Sequence, residues 1–371
     1  MMPQSEFKKL SLCCNFRHKR FRCHCYCSVM RRRNSYLLSV FSFILGCMLS
    51  MSIFNYDSCD FKHESLVKHR SEVSMNKVAP YVGLILSNPE NFDRRKTIRN
   101  TWLKLKSFLA PSISPLAQEN VMENKEFEHY FVVGVSSVSD KTRAQLRNEQ
   151  QEHGDLLILP QLKDKYTTLS DKLIQSIRWI HLNYPNLLYL LKCDDDSFVR
   201  IDKLIHELRS IRKTEQSAVL TGLYWGYFKG TAHVQRAGRW AETDFFLCDR
   251  YLPYALGGGY VISADILEFI AKNSHYLQLY KSEDVSMGVW TAPLSRVRRL
   301  HDTRFDTEWS SRGCNDSYLI RHKQSTRDME DSYFTLLQSQ NTRLCQTISV
   351  LRLPYQYNWA VPPSQCCKIT D

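Results

Sequence analysis

The 371-residue sequence is poor in glycine and proline, with 13 and 12 respectively, which excludes collagen-like and low-complexity chains. It contains no GxxxxGK[ST] and no GxGxxG opening a helix after a strand, so by motif it is neither a P-loop ATPase nor a dinucleotide oxidoreductase. Acidic residues are nearly missing from the first 33 positions, where Glu6 alone stands against nine Lys and Arg. That segment carries +8 of the formal +12, which leaves the other 338 residues only +4. A basic nucleic-acid-binding face on the main body is therefore poorly supported, and no nucleic-acid partner is expected. The chain as a whole is 43% hydrophobic, enough for one large core.

Charge is wholly absent from Asn34 to Tyr56, directly after Arg31, Arg32 and Arg33. The apolar part, YLLSVFSFILGCMLSMSIF from Tyr36 to Phe54, would span roughly 28 Å as a helix, the thickness of a bilayer core. Basic residues stay on the cytoplasmic side, so the expected topology is type II. This gives a cytoplasmic tail (1–33), a signal anchor (34–56), a polar stem (57–78) and a lumenal domain (79–371). A cleaved signal peptide is the rival reading, but the basic region is long and no small-x-small cleavage site stands out. The short, Ser-containing span suits the thinner membranes of the early secretory route.

Of 13 cysteines, seven (59, 193, 248, 314, 345, 366 and 367) fall in the expected lumenal part. An oxidising lumen favours disulfides, and an odd number leaves at least one thiol unpaired or intermolecular. Cys193 is the candidate free thiol because it ends an apolar strand. Asn315-Asp316-Ser317 is a single glycosylation sequon.

From Ala79 onward, short apolar runs alternate with helical patterns. YVGLILS (Tyr81–Ser87), HYFVVGV (His129–Val135), LLILP (Leu156–Pro160) and LLYLLKC (Leu187–Cys193) read as strands. Helices are expected through RRKTIRNTW, over Asp140–His153 and over Leu169–Asn183. The pattern predicts an α/β fold with a mostly parallel sheet flanked by helices. The stretch Ala110–Glu128 shows neither period and reads as a surface insertion.

The sharpest chemical feature is Asp194-Asp195-Asp196, placed immediately after the last of those strands. Three adjacent carboxylates repel one another unless a cation compensates, and hard oxygen donors suit Mg²⁺ or Mn²⁺. A polar loop with one Asp capping the next helix is the alternative. A second acidic point is Glu283-Asp284, downstream of Gly257-Gly258-Gly259. Those glycines permit positive φ and close backbone approach to a ligand, although a tight turn would explain them equally. His301 and His322 are each metal ligands or core residues. Trp225, Trp240, Trp309, Tyr251 and Tyr254 are either sugar-stacking surfaces or core.

RRKTIRNTW, YTTLSDK, LKCDDDSFVR, LPYALGGGYVIS and SEDVSMGVW occur in that order, and together they resemble the β-1,3-galactosyltransferase family (glycosyltransferase family 31). Within it the chain is most similar to members that build the proteoglycan linkage region, through YWGYFKG, GRW, LCDRYLPYALGGGY, HDTRFDTEWSSRGC, HKQS and PPSQCC. The resemblance implies a GT-A fold and inverting transfer of galactose from UDP-galactose, with Mn²⁺, or Mg²⁺ in its place. The implied acceptor is the galactosyl-xylose of proteoglycan core proteins, and the implied location is the Golgi membrane. It also implies that Asp196 and His322 bind the metal, that Asp194 and Asp195 face the nucleotide, and that Asp284 is the catalytic base. Arg95, Arg99 and Lys172 match basic residues around the nucleotide. Two rivals stand beside this: another β-1,3 specificity, such as N-acetylglucosamine transfer, and a catalytically silent lectin-like folding partner.

Overall fold

The computed structural model describes residues 77–109, 126–214 and 222–368. The basic tail, the apolar span at 36–54, the stem with Cys59 and most of the expected insertion after Ala110 lie outside them. No helix of the described residues is long and apolar enough to cross a membrane.

In chain order the elements are β1 (Tyr81–Leu86), α1 (Phe92–Asn100), β2 (Phe127–Gly134), α2 (Asp140–His153), β3 (Leu156–Leu159), α3 (Leu169–Asn183), β4 (Tyr189–Asp194), β5 (Phe198–Val199) and α4 (Ile201–Thr214). They continue with β6 (Leu223–Lys229), β7 (Tyr254–Ser263), α5 (Ala264–Lys272), α6 (Glu283–Thr291), β8 (Arg298–His301), β9 (Phe305–Asp306), β10 (Gly313–Cys314), β11 (Ile320–Arg321), α7 (Thr326–Gln338) and β12 (Ser349–Val350). Helix ends follow local chemistry. Ser139 caps α2 by accepting from the Thr142 amide at 3.1 Å, and Gly154 ends it in the left-handed region at φ 67°.

Seven strands form one sheet in the order β3-β2-β1-β4-β7-β6-β8. β1 runs parallel to β2 and β4, β2 to β3, and β6 to β8, whereas β7 is antiparallel to both neighbours. The sheet is thus mostly parallel with one reversed central strand, and with its flanking helices it fits a GT-A type domain. Alternate residues feed two cores. Ile85, Phe131, Leu191 and Trp225 pack with Leu204 and Leu208 of α4, while Leu84, Val132, Leu190 and Tyr260 pack with Ile177 of α3 and Ile270 of α5. Because both faces are covered, the strands read as continuous apolar runs.

The glycine stretch differs from its sequence reading. Gly257, Gly258 and Gly259 lie inside β7, a ten-residue strand, and none has positive φ. Their role is room. A Cβ on Gly259 would meet Ile320 Cδ1 at 2.7 Å, and one on Gly258 would meet His322 Nδ1 at 2.0 Å.

Candidate active site

The acidic triplet sits at the carboxyl end of β4, beside the reversed strand β7, where ligands gather in open α/β sheets. A small sheet, β5-β11-β9, then delivers the histidine. β11 pairs with β5 through Ile320↔Val199 and Arg321↔Phe198, so the next residue, His322, arrives against the triplet. The loop closes with the Gln324 amide donating to the Asp196 carbonyl at 2.8 Å. Donor atoms of Asp194, Asp196 and His322 all lie within 4.8 Å of one another. His322 Nε2 is 3.0 Å from Asp196 Oδ1 and 3.8 Å from Asp194 Oδ2. Both ring nitrogens are buried without an aligned hydrogen-bond partner, a cost unless something else is bound there. Two carboxylates and one imidazole fit a hard divalent ion such as Mn²⁺ or Mg²⁺. Burial works to raise the Asp196 carboxyl, but His322 and Lys323 outweigh it and hold it below the usual carboxylate range.

Asp195 points elsewhere. Its Oδ2 accepts from Ser87 Oγ and Asn91 Nδ2, both at 2.8 Å, and its Oδ1 pairs with Arg94 at 3.0 Å. It ties the β1–α1 loop to the site and stands apart from the Asp194–Asp196–His322 donor set.

Beneath the triplet lies a residue that sequence reading passed over. Lys192 is buried, and its ammonium donates to Asp194 Oδ1 at 2.9 Å, to the Gly257 carbonyl at 2.6 Å and to Glu283 Oε1 at 2.5 Å. One cation thereby joins the end of β4, the middle of β7 and the start of α6. Burial pulls the ammonium toward neutrality, yet Asp194 and Glu283 outweigh it and raise its proton affinity. Burial raises the Glu283 carboxyl above its ordinary range despite that neighbour. A charged residue inside the run LLYLLKC was the available signal, because a buried lysine requires carboxylate or carbonyl partners.

Asp284 differs from Glu283 in being only partly buried. Its Oδ1 accepts from Ser282 Oγ at 2.6 Å and from the Val285 amide at 2.8 Å, and its Oδ2 accepts from the Gly257 amide at 3.0 Å. Three of about four acceptor positions of the carboxylate are filled, which orients it and leaves one open. It stands in the first turn of α6.

The three basic residues matched to the nucleotide pocket are placed in ion pairs of their own. Arg95 is fully buried, bonded to Glu149, Ser87 Oγ and the carbonyls of Asn88 and Pro89. Arg99 pairs with Glu149 and Asp155 at 2.7 Å each. Lys172 is buried between the Ser87 carbonyl at 2.7 Å and Asp164 at 2.6 Å. Arg95 and Lys172 brace the β1–α1 loop from behind, whereas Arg99 ties α1 to Glu149 and Asp155. The cations that reach the triplet from its open side are Arg94, one position round the helix, and Lys323.

His301 is structural: its Nδ1 accepts from the Phe228 amide and its Nε2 lies 3.0 Å from the Tyr355 carbonyl. Trp225, Tyr251 and Tyr254 are core, whereas Trp309 is 73% exposed. Trp240 sits edge-on to Tyr166. Disulfides join Cys314 to Cys345 and Cys366 to Cys367; Cys193 is a buried free thiol and Cys248 an exposed one.

Comparison with known proteins places the chain in a family. Residues 93–301 match the family described as Galactosyltransferase. The chain is 43% identical to mouse (Mus musculus) "Beta-1,3-galactosyltransferase 6" over 77% of its own length and 81% of that protein. It is 28% identical to "Hydroxyproline O-galactosyltransferase GALT5" of Arabidopsis thaliana over 70% of this chain, spanning 36% of that longer protein. A solved structure described as a glycosyltransferase involved in the glycosylation of the major capsid of PBCV-1 is similar at 13% identity and a TM-score of 0.34, covering 68% of this chain and 97% of that one. That likeness is distant. The family match over more than half the chain and the mouse relative show that the chain belongs to the galactosyltransferase family and is a glycosyltransferase.

Proposed function

We propose that this enzyme transfers galactose from UDP-galactose, with inversion, in β1,3 linkage to the galactose of galactosyl-xylosyl-Ser on proteoglycan core proteins. The observation that carries the reaction is the convergence of the Asp194–Asp196–His322 donor set and Asp284 on one end of the sheet, joined through Lys192 and Gly257. The family's description as galactosyltransferases supports the donor. The acceptor rests on the sequence blocks shared with linkage-region members, from YWGYFKG to PPSQCC. The apolar segment at 36–54 supports a type II Golgi protein with a lumenal catalytic domain.

In this reading Asp194, Asp196 and His322 hold the divalent ion, which when bound supplies Lewis-acid stabilisation of the departing diphosphate. Asp284 uses its open acceptor position to take the proton of the acceptor hydroxyl as that oxygen attacks the anomeric carbon. The three hydrogen bonds to Asp284 fix its direction, so little reorganisation accompanies the step. Lys192 keeps Asp194 and Glu283 from repelling one another across the floor of the site. The test is product analysis with residues 79–371, a galactosyl-xyloside, and UDP-galactose or UDP-N-acetylglucosamine, with Mn²⁺ or chelator. A β1,3-digalactosyl product formed only with metal and UDP-galactose is expected. Preference for the other donor, or turnover in chelator, overturns the reading. Protease digestion of a C-terminal tag in sealed vesicles would overturn the topology.

A further inference from the structure

Among the described residues, three Lys and Arg side chains touch the acidic triplet. Lys192 is buried beneath it, with its bonds spent on three segments of the fold. The other two stand on the open side, each with 40% of its side chain exposed. Arg94 Nη1 lies 3.0 Å from Asp195 Oδ1 and 3.7 Å from Asp196 Oδ2. Lys323 Nζ lies 3.2 Å from that same Asp196 Oδ2.

Lys323 is held in an unfavourable backbone conformation to do this. Its φ is 59°, in the left-handed region that a residue with a Cβ rarely enters. The amides on either side are pinned, His322 to the Asp306 carbonyl at 2.9 Å and Gln324 to the Asp196 carbonyl at 2.8 Å. The turn that puts the His322 ring between Asp194 and Asp196 therefore also aims Lys323 at Asp196. On its other side the ammonium sits 5.1 Å from the centre of the exposed Trp309 ring, an attraction that holds the long side chain in place.

A divalent ion at Asp194, Asp196 and His322 would compete with both cations for Asp196. Released from it, they would face the ligand that brings the next negative charge to that spot. We propose that Arg94 and Lys323 are stand-in cations: without metal they neutralise Asp195 and Asp196, and when metal and donor bind they transfer to the diphosphate of the nucleotide sugar. Arg94 supplies a planar fork suited to phosphate oxygens and Lys323 a compact charge. The pair performs the role that sequence matching gave to Arg95, Arg99 and Lys172. This rests on the reading that the donor is a nucleoside diphosphate sugar.

The test separates the two roles because they have opposite signs. Mn²⁺ binding is measured by electron paramagnetic resonance without nucleotide, and UDP binding by calorimetry at saturating Mn²⁺, on wild type, Lys323→Gln, Lys323→Arg and Arg94→Gln. Thermal unfolding is followed in parallel. Removing Lys323 should tighten Mn²⁺ binding about threefold, because a like charge no longer competes for Asp196. It should weaken UDP binding about tenfold, the loss of one charge-assisted hydrogen bond. Lys323→Arg should restore most of the UDP affinity, and Arg94→Gln should follow Lys323→Gln in sign. Loss of Mn²⁺ and UDP affinity together, with a lowered unfolding temperature, would show that Lys323 only shapes the loop and would overturn the proposal. Unchanged UDP affinity in both neutral variants would overturn it equally. If wild type itself binds no UDP with Mn²⁺, the donor reading fails first, which is a distinct result.

Discussion

Replacing Gly258 by alanine adds a single methyl group, yet it should disable the metal site. The new Cβ would fall 2.0 Å from His322 Nδ1, 2.5 Å from Cγ and 2.8 Å from Cβ. Real Cβ contacts essentially never come closer than 3.0 Å, so the ring must retreat by at least 1 Å. Metal-ligand distances tolerate only about 0.2 Å, and an imidazole displaced several times that far is lost as a ligand. Gly258 cannot yield in its place, because it is buried in a central strand and its carbonyl accepts from Ser197 Oγ at 2.6 Å. Overpacking of this kind costs about 1–3 kcal/mol, a fall of a few degrees in unfolding temperature for a domain of this size. Mn²⁺ affinity should fall about ten- to a hundredfold, approaching that of His322→Ala. Electron paramagnetic resonance of free Mn²⁺ in titrations of both variants, beside scanning calorimetry, measures the two effects separately. A Gly258→Ala protein that melts with wild type and binds Mn²⁺ equally well would refute the reasoning that ties β7 to the metal.

Asp284→Asn should abolish galactose transfer while leaving Mn²⁺-dependent UDP binding nearly intact, since the amide keeps the shape but cannot take a proton; substantial residual transfer, measured beside calorimetric UDP titration, would move the base elsewhere. Lys192→Met should be destabilising by about 3–5 kcal/mol in denaturant unfolding, because Asp194 and Glu283 are left facing each other without their buried cation. Glu283→Gln should also lower stability, and a variant of either residue that unfolds with wild type would show the bridge to be dispensable. In acid, burial works to raise Glu149 and Asp155, but Arg95 and Arg99 on the first and Arg99 and His129 on the second hold both below the ordinary carboxylate range. Carboxyls depressed in the folded state contribute stability that is complete above their unfolded value near pH 4 and is lost as pH falls below it. Thermal unfolding of Glu149→Gln should therefore start lower and show a shallower acid limb, and a limb as steep as that of wild type would contradict the pairing.

The alternation of strands and helices up to β4 was legible in the sequence because each signal is local. Apolar runs such as YVGLIL need only their own residues to register as buried strands, and α2 and α3 have the expected bounds, Asp140–His153 and Leu169–Asn183. The acidic triplet was legible for the same reason, as three adjacent carboxylates directly after an apolar strand. Family likeness then supplied His322 and Asp284, which no spacing rule joins to the triplet.

Tertiary structure decided whatever depends on which side of an element a residue faces and on what lies across from it. Arg94 and Arg95 are neighbours in sequence, but the rotation of about 100° between successive helix positions sends Arg95 into a buried pair with Glu149 and Arg94 toward Asp195. Gly257, Gly258 and Gly259 left close approach to a ligand and a tight turn open as readings, because glycine serves both; they lie in a strand, and are glycine because Glu283, His322 and Ile320 occupy the space their side chains would fill. Lys192 meets Glu283 across 91 positions, and His322 meets Asp196 only because β11 pairs with β5. Periodicity reports how a segment divides between core and solvent, whereas the distance between two side chains far apart in sequence is set by strand order and register, which many equally patterned sequences could satisfy differently.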